Sequence, residues 1–412
     1  MPQPATEPVA LDPVAADHHG EAARLRALGP VVRVQLPGNV PAWTVTRHDL
    51  LAQLVTDPRI SKNWHNWPAM RDGLIPDGWP LTGMVKVDNM VTADGAEHHR
   101  LRRLVTQTLT PARVRSLAPR ISALTRDLLT ALPSHARPDG SVDLRAHLAY
   151  PLPMQVICDL VGIPQQDRPR MRELVDSIFR STTEPDEVIR TQHDIYTILG
   201  RIIRERTHQP ADDLTSALIA ARQQDPDALT EDELAGTLWL MISAGHETTL
   251  SLIVNGVRAL LTHPDQLALA RAGDHDTWAA VVEEVLRWDA PIGNFLARYP
   301  LTDIEIAGVT IPAGEPILAP YSAVGRDPDH HGEAAHLFDI TRGQGRHLAF
   351  GGGPHVCLGA PLARLEATIA LPALFDHYPD LTLAVPLTDL IPVPSLVSNS
   401  VSALPVHLHP RP

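Results

Sequence analysis

The most pointed chemistry lies in Phe350-Gly351-Gly352-Gly353-Pro354-His355-Val356-Cys357-Leu358-Gly359. The glycines permit positive φ and let the backbone come close to another group. Cys357 stands where this loop turns into a helix expected from about Leu358. Backbone N–H groups and the positive end of the helix dipole favour thiolate there, the form that ligates metal. A lone thiolate does not make a four-cysteine zinc or iron–sulfur site. It suits the axial position of a haem, where it pushes electron density toward O–O cleavage. The plain alternative is a small buried cysteine in a glycine-rich turn.

Three further groupings can do chemistry. In Ala244-Gly245-His246-Glu247-Thr248-Thr249 a carboxylate adjoins a hydroxyl inside a helical pattern. Burying that carboxylate is costly without a partner or a task. Thr248 can bond the carbonyl four residues back and open the helix for water and proton relay. The small residues at 244 and 245 let a flat group lie against it. The alternative is a bent surface helix. Glu284 and Arg287, at i and i+3, share a helix face and can pair. His98 and Arg102, at i and i+4 in His98-His99-Arg100-Leu101-Arg102-Arg103, also share a face.

The elements that must position these residues are mostly helical. Thr230 and Glu233 form a capping box ahead of apolar or small residues at Leu234, Leu238, Met241, Ile242, Gly245, Leu252 and Ile253. That helix runs to His263-Pro264 and is ~48 Å long at ~1.5 Å per residue. A second helix is expected over about Thr277 to Trp288 with Asp276 as its cap. From Glu97 to about Gly200 the pattern is helical, broken at prolines 111, 133, 151, 153 and 164. Val31–Leu36 and Ala42–Val45 read as a hairpin turned at Pro37-Gly38-Asn39. Arg298 to Ala319 alternates and turns at Ala307-Gly308 and Ala313-Gly314. The stretch 63–91, with Trp64, Trp67 and Trp79, reads as a long irregular loop packed on something apolar. The order is not alternating β and α, so a doubly wound parallel sheet is not expected.

The segment 350–359 resembles the haem-thiolate signature of cytochrome P450 enzymes, Phe-x-x-Gly-x-His/Arg-x-Cys-x-Gly, at every fixed position. The likeness extends over essentially the whole chain, which within the family is similar to soluble actinobacterial members, including those that hydroxylate macrolactones and steroids. The resemblance implies a mainly α, single-domain fold over 1–412, a helix-rich triangular prism with small β-sheets. Haem b would lie between the long helix and the Cys357 loop, in contact with Ala244, Phe350, Gly351 and Gly359. It implies propionate contacts from His98, Arg102, Arg298 and His355, and proton delivery to dioxygen by Glu247 and Thr248. Glu284 and Arg287, joined by Arg342, would hold the haem loop as structural residues. The family often has Asn where this chain has Gly325, ahead of Arg326-Asp327-Pro328. By position, Met84, Val85, Phe179, Leu240, Ala244, Phe295 and Val397 fall in substrate-recognition regions, which suggests a mostly apolar pocket with a few polar handles. The implied reaction is hydroxylation of a mid-sized, largely apolar small molecule such as a steroid or macrolide. A non-enzymatic haem-thiolate sensor or carrier is the first rival, but it has no use for Glu247 and Thr248. Peroxide-driven or C–C coupling chemistry is the second.

Composition bounds the rest. The chain has 412 residues and a formal net charge of -13. So acidic a protein is a poor match for nucleic acid. The cations are nearly all Arg, with only Lys62 and Lys86. Cys158 and Cys357 do not make a disulfide framework. Residues 1–20 lack the apolar core of a signal peptide, and no apolar run reaches the ~18 residues of a membrane span. A cytoplasmic, membrane-free protein is expected. No phosphate loop, nucleophile elbow or His-Glu-x-x-His zinc motif occurs, and the pairs His18-His19, His98-His99 and His330-His331 lack ligand partners nearby in sequence. Because the P450 resemblance takes up the chain, it leaves no flavin or iron–sulfur module and implies electrons from a ferredoxin and an NAD(P)H-dependent ferredoxin reductase. Arg102, Arg103, Arg113, Arg115, Arg346 and Arg364 could form the basic patch such a partner needs.

Overall fold

The computed structural model describes residues 7–224, 229–343, 345 and 347–409. Seven helices position the site: α1 (Gly95–Thr108), α2 (Pro151–Val161), α3 (Arg168–Phe179), α4 (Pro185–His208), α5 (Glu231–Thr262), α6 (His275–Trp288) and α7 (Ala360–His377). One sheet has six strands: β1 (Val9–Ala10), β2 (Val31–Leu36), β3 (Val40–Val45), β4 (Ile60–Ser61), β5 (Phe295–Pro300) and β6 (Ile317–Ala319). Its order is β1-β2-β3-β6-β5-β4. The β2–β3 hairpin pairs Val31 with Val45 and Leu36 with Val40 around the expected turn, where Gly38 and Asn39 take positive φ.

Helix α5 carries the architecture. Its capping box is formed, with Thr230 N–H donating to Glu233 Oε2 at 2.7 Å and Glu233 N–H donating to Thr230 Oγ1 at 3.1 Å. Glu231, Asp232 and Glu233 crowd its first turn, where the dipole favours anions. The helix packs against α2, α6 and α7, and most of its residues are buried on every side. Such a helix belongs inside a large core.

Three expectations are corrected. The cap of α6 is Asp274, whose carboxylate accepts from Asp276 N–H and Thr277 N–H at 3.1 and 3.2 Å. The helix therefore begins two residues earlier than the apolar period suggested. Helix α7 begins at Ala360 rather than Leu358, because the turn around Cys357 uses the intervening residues. Gly245 serves helix packing: a Cβ there would lie 2.8 Å from Ile157 Cδ1 on α2. Only Ala244 of the small pair faces an open side.

The 63–91 stretch is not wholly irregular; it contains short helical turns at Trp64–Asn66, Pro68–Arg71 and Thr82–Val85. Trp67 and Trp79 are buried edge to face, with centroids 5.9 Å apart, and Trp79 Nε1 donates to the Pro37 carbonyl at 2.8 Å. Trp64 stays half-buried.

Candidate haem-thiolate site

Cys357 closes the loop that precedes α7. Its N–H donates to the Phe350 carbonyl at 2.9 Å. Gly351 and Gly353 hold φ of 69° and 63°, in the left-handed region, and a Cβ on Gly353 would meet the Val55 carbonyl at 2.6 Å. The Cys357 side chain is exposed, into a cleft walled by protein. Burial in those walls pushes its thiol up, and the N–H groups of Gly359 and Ala360, with Arg102 and Arg364, work the other way. These donors are what a thiolate ligand needs. Cys158, by contrast, is fully buried beside Met154 Sδ at 3.5 Å, and burial raises its thiol to about 12.

A second open surface is a stripe on α5. Leu240, Ala244 and Thr248 follow one another at i, i+4 and i+8, and Ala244 is exposed although the helix around it is buried. A flat apolar group can lie on such a stripe. Thr248 Oγ1 donates to the Ala244 carbonyl at 2.8 Å, as expected, yet the helix stays continuous through this turn.

Glu247 points elsewhere. It is buried, accepts from Ser398 Oγ at 3.0 Å, and lies 3.5 Å from Arg145 Nη2. Burial raises its proton affinity, and Arg145 opposes that. Glu247, Arg145, Tyr150, Arg172, Asp176 and Phe179 are among the residues lining a cavity of about 230 Å³. The carboxylate thus faces a polar cavity while the neighbouring hydroxyl faces the open stripe.

Polar groups gather at one edge of the cleft. His98 is buried with Nε2 unpartnered, and its ring lies 4.2 Å from that of His355. Burial, with Lys62, His98, Arg298 and Arg102 nearby, pushes His355 down to about 2, so it is neutral. Arg102 Nη2 donates to the Val356 carbonyl at 2.7 Å. An irregularity in the β5–β6 pairing lies between Phe295 and Arg298. Bulges of that kind re-aim side chains. Arg298 is buried, donates to Tyr321 Oη at 2.8 Å, and leaves Nη1 without a partner. Lys62, which the sequence reading passed over, is buried beside them with its ammonium 4.5 Å from the Phe295 ring centroid. Burial and Arg298 lower its pKa well below the usual range. Among the described residues neither Lys62 nor Arg298 has an ion-pair partner. Orphaned buried donors and cations of this kind fit the two carboxylates of a haem edge.

Two anchors hold the loop from behind. Arg287 donates to both Glu284 oxygens, at 2.6 and 2.7 Å, and to the carbonyls of Gly325, Ala335 and Leu337 at 2.7 to 2.8 Å. Arg342 Nε lies 3.6 Å from Glu284 Oε1. Gly325 fits this arrangement: a Cβ there would lie 1.9 Å from the Arg287 carbonyl oxygen. The second anchor was not foreseen. Glu283 accepts from His347 Nε2 at 3.0 Å and from Arg364 at 2.5 and 2.9 Å, and these partners bring it down to about 2. Arg364 is therefore paired and half-buried, not a free member of a basic patch. Arg346 lies outside the described residues.

The residues assigned to substrate regions divide. Leu240 and Ala244 lie on the open stripe; Met84 and Phe295 are half-buried; Val85, Phe179 and Val397 are buried in the core. His48 joins the pair His330-His331, with ring nitrogens of the three within 4.8 Å of one another, and its ring stacks on His330 at 3.5 Å and 15°.

A helix-rich fold with one exposed cysteine closing a glycine-rich loop, and buried cations gathered beside that loop, defines a haem-thiolate protein. The chain belongs to the cytochrome P450 family, whose model matches residues 278–388. It is 39% identical over 409 residues to 2-hydroxy-5-methyl-1-naphthoate 7-hydroxylase of Streptomyces carzinostaticus, covering 98% of each chain. It is 38% identical to vitamin D(3) 25-hydroxylase of Pseudonocardia autotrophica, covering 95% of this chain and 94% of that one. Testosterone-bound CYP154C4 from Streptomyces sp. ATCC 11861 superposes with a TM-score of 0.94 at 46% identity, covering 98% and 99%. The protein is a P450 monooxygenase, a haem-iron enzyme. Among the described residues no helix is long and apolar enough to cross a membrane.

Proposed function

We propose that the chain, acting as one unit, hydroxylates a mid-sized, largely apolar small molecule of the steroid kind. The observation that carries this reading is the open Leu240–Ala244–Thr248 stripe on α5, in a chain 46% identical to a testosterone-bound neighbour. Cys357 would ligate the iron. Arg102, Arg298, Lys62, His98 and His355 would hold the propionates. Held there, haem would supply dioxygen activation: with two electrons and two protons, one oxygen atom would enter a substrate C–H bond and the other would leave as water. Phe350, Gly351 and Gly359 shape the loop that presents the sulfur. Thr248 Oγ1, on the open stripe, passes protons toward dioxygen. Glu247, facing the polar cavity, takes them from water. The apolar stripe orients the substrate and excludes solvent.

Electrons come from a ferredoxin and its NAD(P)H-dependent reductase. Arg103 and Arg115 are exposed and Arg102 and Arg113 half-buried; Arg102 donates to the carbonyl of exposed Val356, and Arg113 lies 3.6 Å from Asp212. Exposed arginines suit an acidic partner.

The test is a screen of substrate-induced shifts in the haem absorption band, with testosterone, a macrolide and a naphthoate as probes. Testosterone is expected to give the largest high-spin shift. A shift with the naphthoate or macrolide and none with the steroid would overturn the steroid assignment.

Lys62→Met tests the propionate assignment. Losing a charge-assisted contact should speed haem transfer to apomyoglobin about tenfold. An unchanged transfer rate would remove Lys62 from the set.

A further inference from the structure

We propose that Ser398 is a positioning residue for Glu247, its hydroxyl holding the carboxylate so that one oxygen stays open to the polar cavity. The inference rests on the relay reading above and deepens it. Ser398 Oγ donates to Glu247 Oε1 at 3.0 Å. Arg145 Nη2 reaches the same oxygen at only 3.5 Å, the outer limit of a hydrogen bond. Oε2 has no hydrogen-bond partner among the described residues, and Glu247 lines the cavity. Ser251 Oγ, one turn along α5, lies 3.4 Å from Ser398 Oγ, so the serine bridges two positions on one helix face.

The hydroxyl is aimed by a rigid support. Ser398 N–H donates to Ser395 Oγ at 2.9 Å. On either side, Gly293 N–H donates to the Val397 carbonyl and Asn399 N–H to the Pro291 carbonyl, both at 2.8 Å. The C-terminal segment is thereby tied to the chain leading into β5, and Ser398 is buried. A side chain so held fixes the rotamer of the group it bonds. Without it Glu247 loses its one short hydrogen bond, and nothing else fixes which oxygen faces the cavity.

The hydroxyl also sets the proton affinity of Glu247. Burial and the Asp176 carboxylate of α3 raise that affinity, while Arg145 and the Ser398 bond lower it. Tyr150, Arg172 and Arg180 complete the charged and titratable lining of the cavity. The carboxylate is the form that accepts a proton from water, so turnover is lost as pH falls through its pKa. Removing the Ser398 donor raises that pKa, and the acid limb moves to higher pH.

The experiment compares Ser398→Ala, Ser398→Thr and Glu247→Gln with the parent holoenzyme, using testosterone and a surrogate ferredoxin and reductase. Product per NAD(P)H consumed is read across pH, beside testosterone affinity. Ser398→Ala is expected to lower coupling roughly threefold to tenfold and shift the acid limb up by about one pH unit, at unchanged affinity. Ser398→Thr, which keeps the hydroxyl, is expected to recover most of both. Unchanged coupling in Ser398→Ala, equal defects in the Ala and Thr variants, or a change in affinity alone would each overturn the inference. Glu247→Gln separates the two levels: if it couples normally, the relay reading itself fails. If it uncouples and Ser398→Ala does not, only the role of Ser398 fails.

Discussion

Cys357→Ala should bring substrate oxidation to background while leaving the fold intact. The Cys357 side chain is exposed to the cleft and its loop is held by other groups: the Phe350 carbonyl, the Glu283 pairing with His347 and Arg364, and the glycine conformations. Removing an exposed sulfur therefore changes apo-protein stability by no more than about 0.5 kcal/mol. The chemistry depends on the electron density a thiolate supplies, which no neighbouring group can replace. Cys357→Ser keeps an acceptor for the Gly359 and Ala360 N–H groups and separates loop geometry from sulfur chemistry. Product formation assayed in both variants, with urea unfolding as the control, checks the claim. Retained turnover in either would mean that the sulfur is not the ligand.

Arg287→Ala should be the most destabilising single change behind the site. Arg287 is 2% exposed and satisfies the Glu284 carboxylate and three carbonyls. Its loss leaves the buried Glu284 carboxylate with only the longer Arg342 contact and the Asp339 N–H, and strips the Gly325 and Ala335 carbonyls of their guanidinium donor. Removing one partner of a buried pair costs about 3–5 kcal/mol, a large part of a stability of roughly 5–15 kcal/mol. Arg287→Lys keeps the charge without the planar fork and should fall between the two. The urea midpoint and the haem content on purification report the effect. A midpoint within error of the parent would show that the Glu284 cluster does not anchor the segment.

What could be read from the sequence was what local chemistry specifies. Thr230 and Glu233 cap α5 from three residues apart, and the hairpin turn rests on Gly38 and Asn39. The cysteine loop was legible because glycine, histidine and cysteine spacing is itself the geometry. The unread parts are those where distant segments meet. Glu247 finds Arg145 and Ser398, 102 and 151 residues away, and no periodicity links such positions. Glu283 sits beside the legible Glu284 yet pairs with residues 64 and 81 positions on. Lys62 carried a faint signal, as one of two lysines in an arginine-based chain, but its burial beside Arg298 is a product of the sheet. Gly245 was read as space for a flat group because composition does not say which way a helix residue faces. Its neighbour Ile157 uses that space instead.

The most direct measurement is the absorption spectrum of the reduced holoprotein exposed to carbon monoxide. Thiolate ligation would displace the main band strongly to the red, and a band so displaced in the parent and absent in Cys357→Ala is the predicted result. A parent spectrum of the histidine-ligated kind, in protein expressed with added porphyrin, would contradict the assignment of Cys357 and the mechanism built on it.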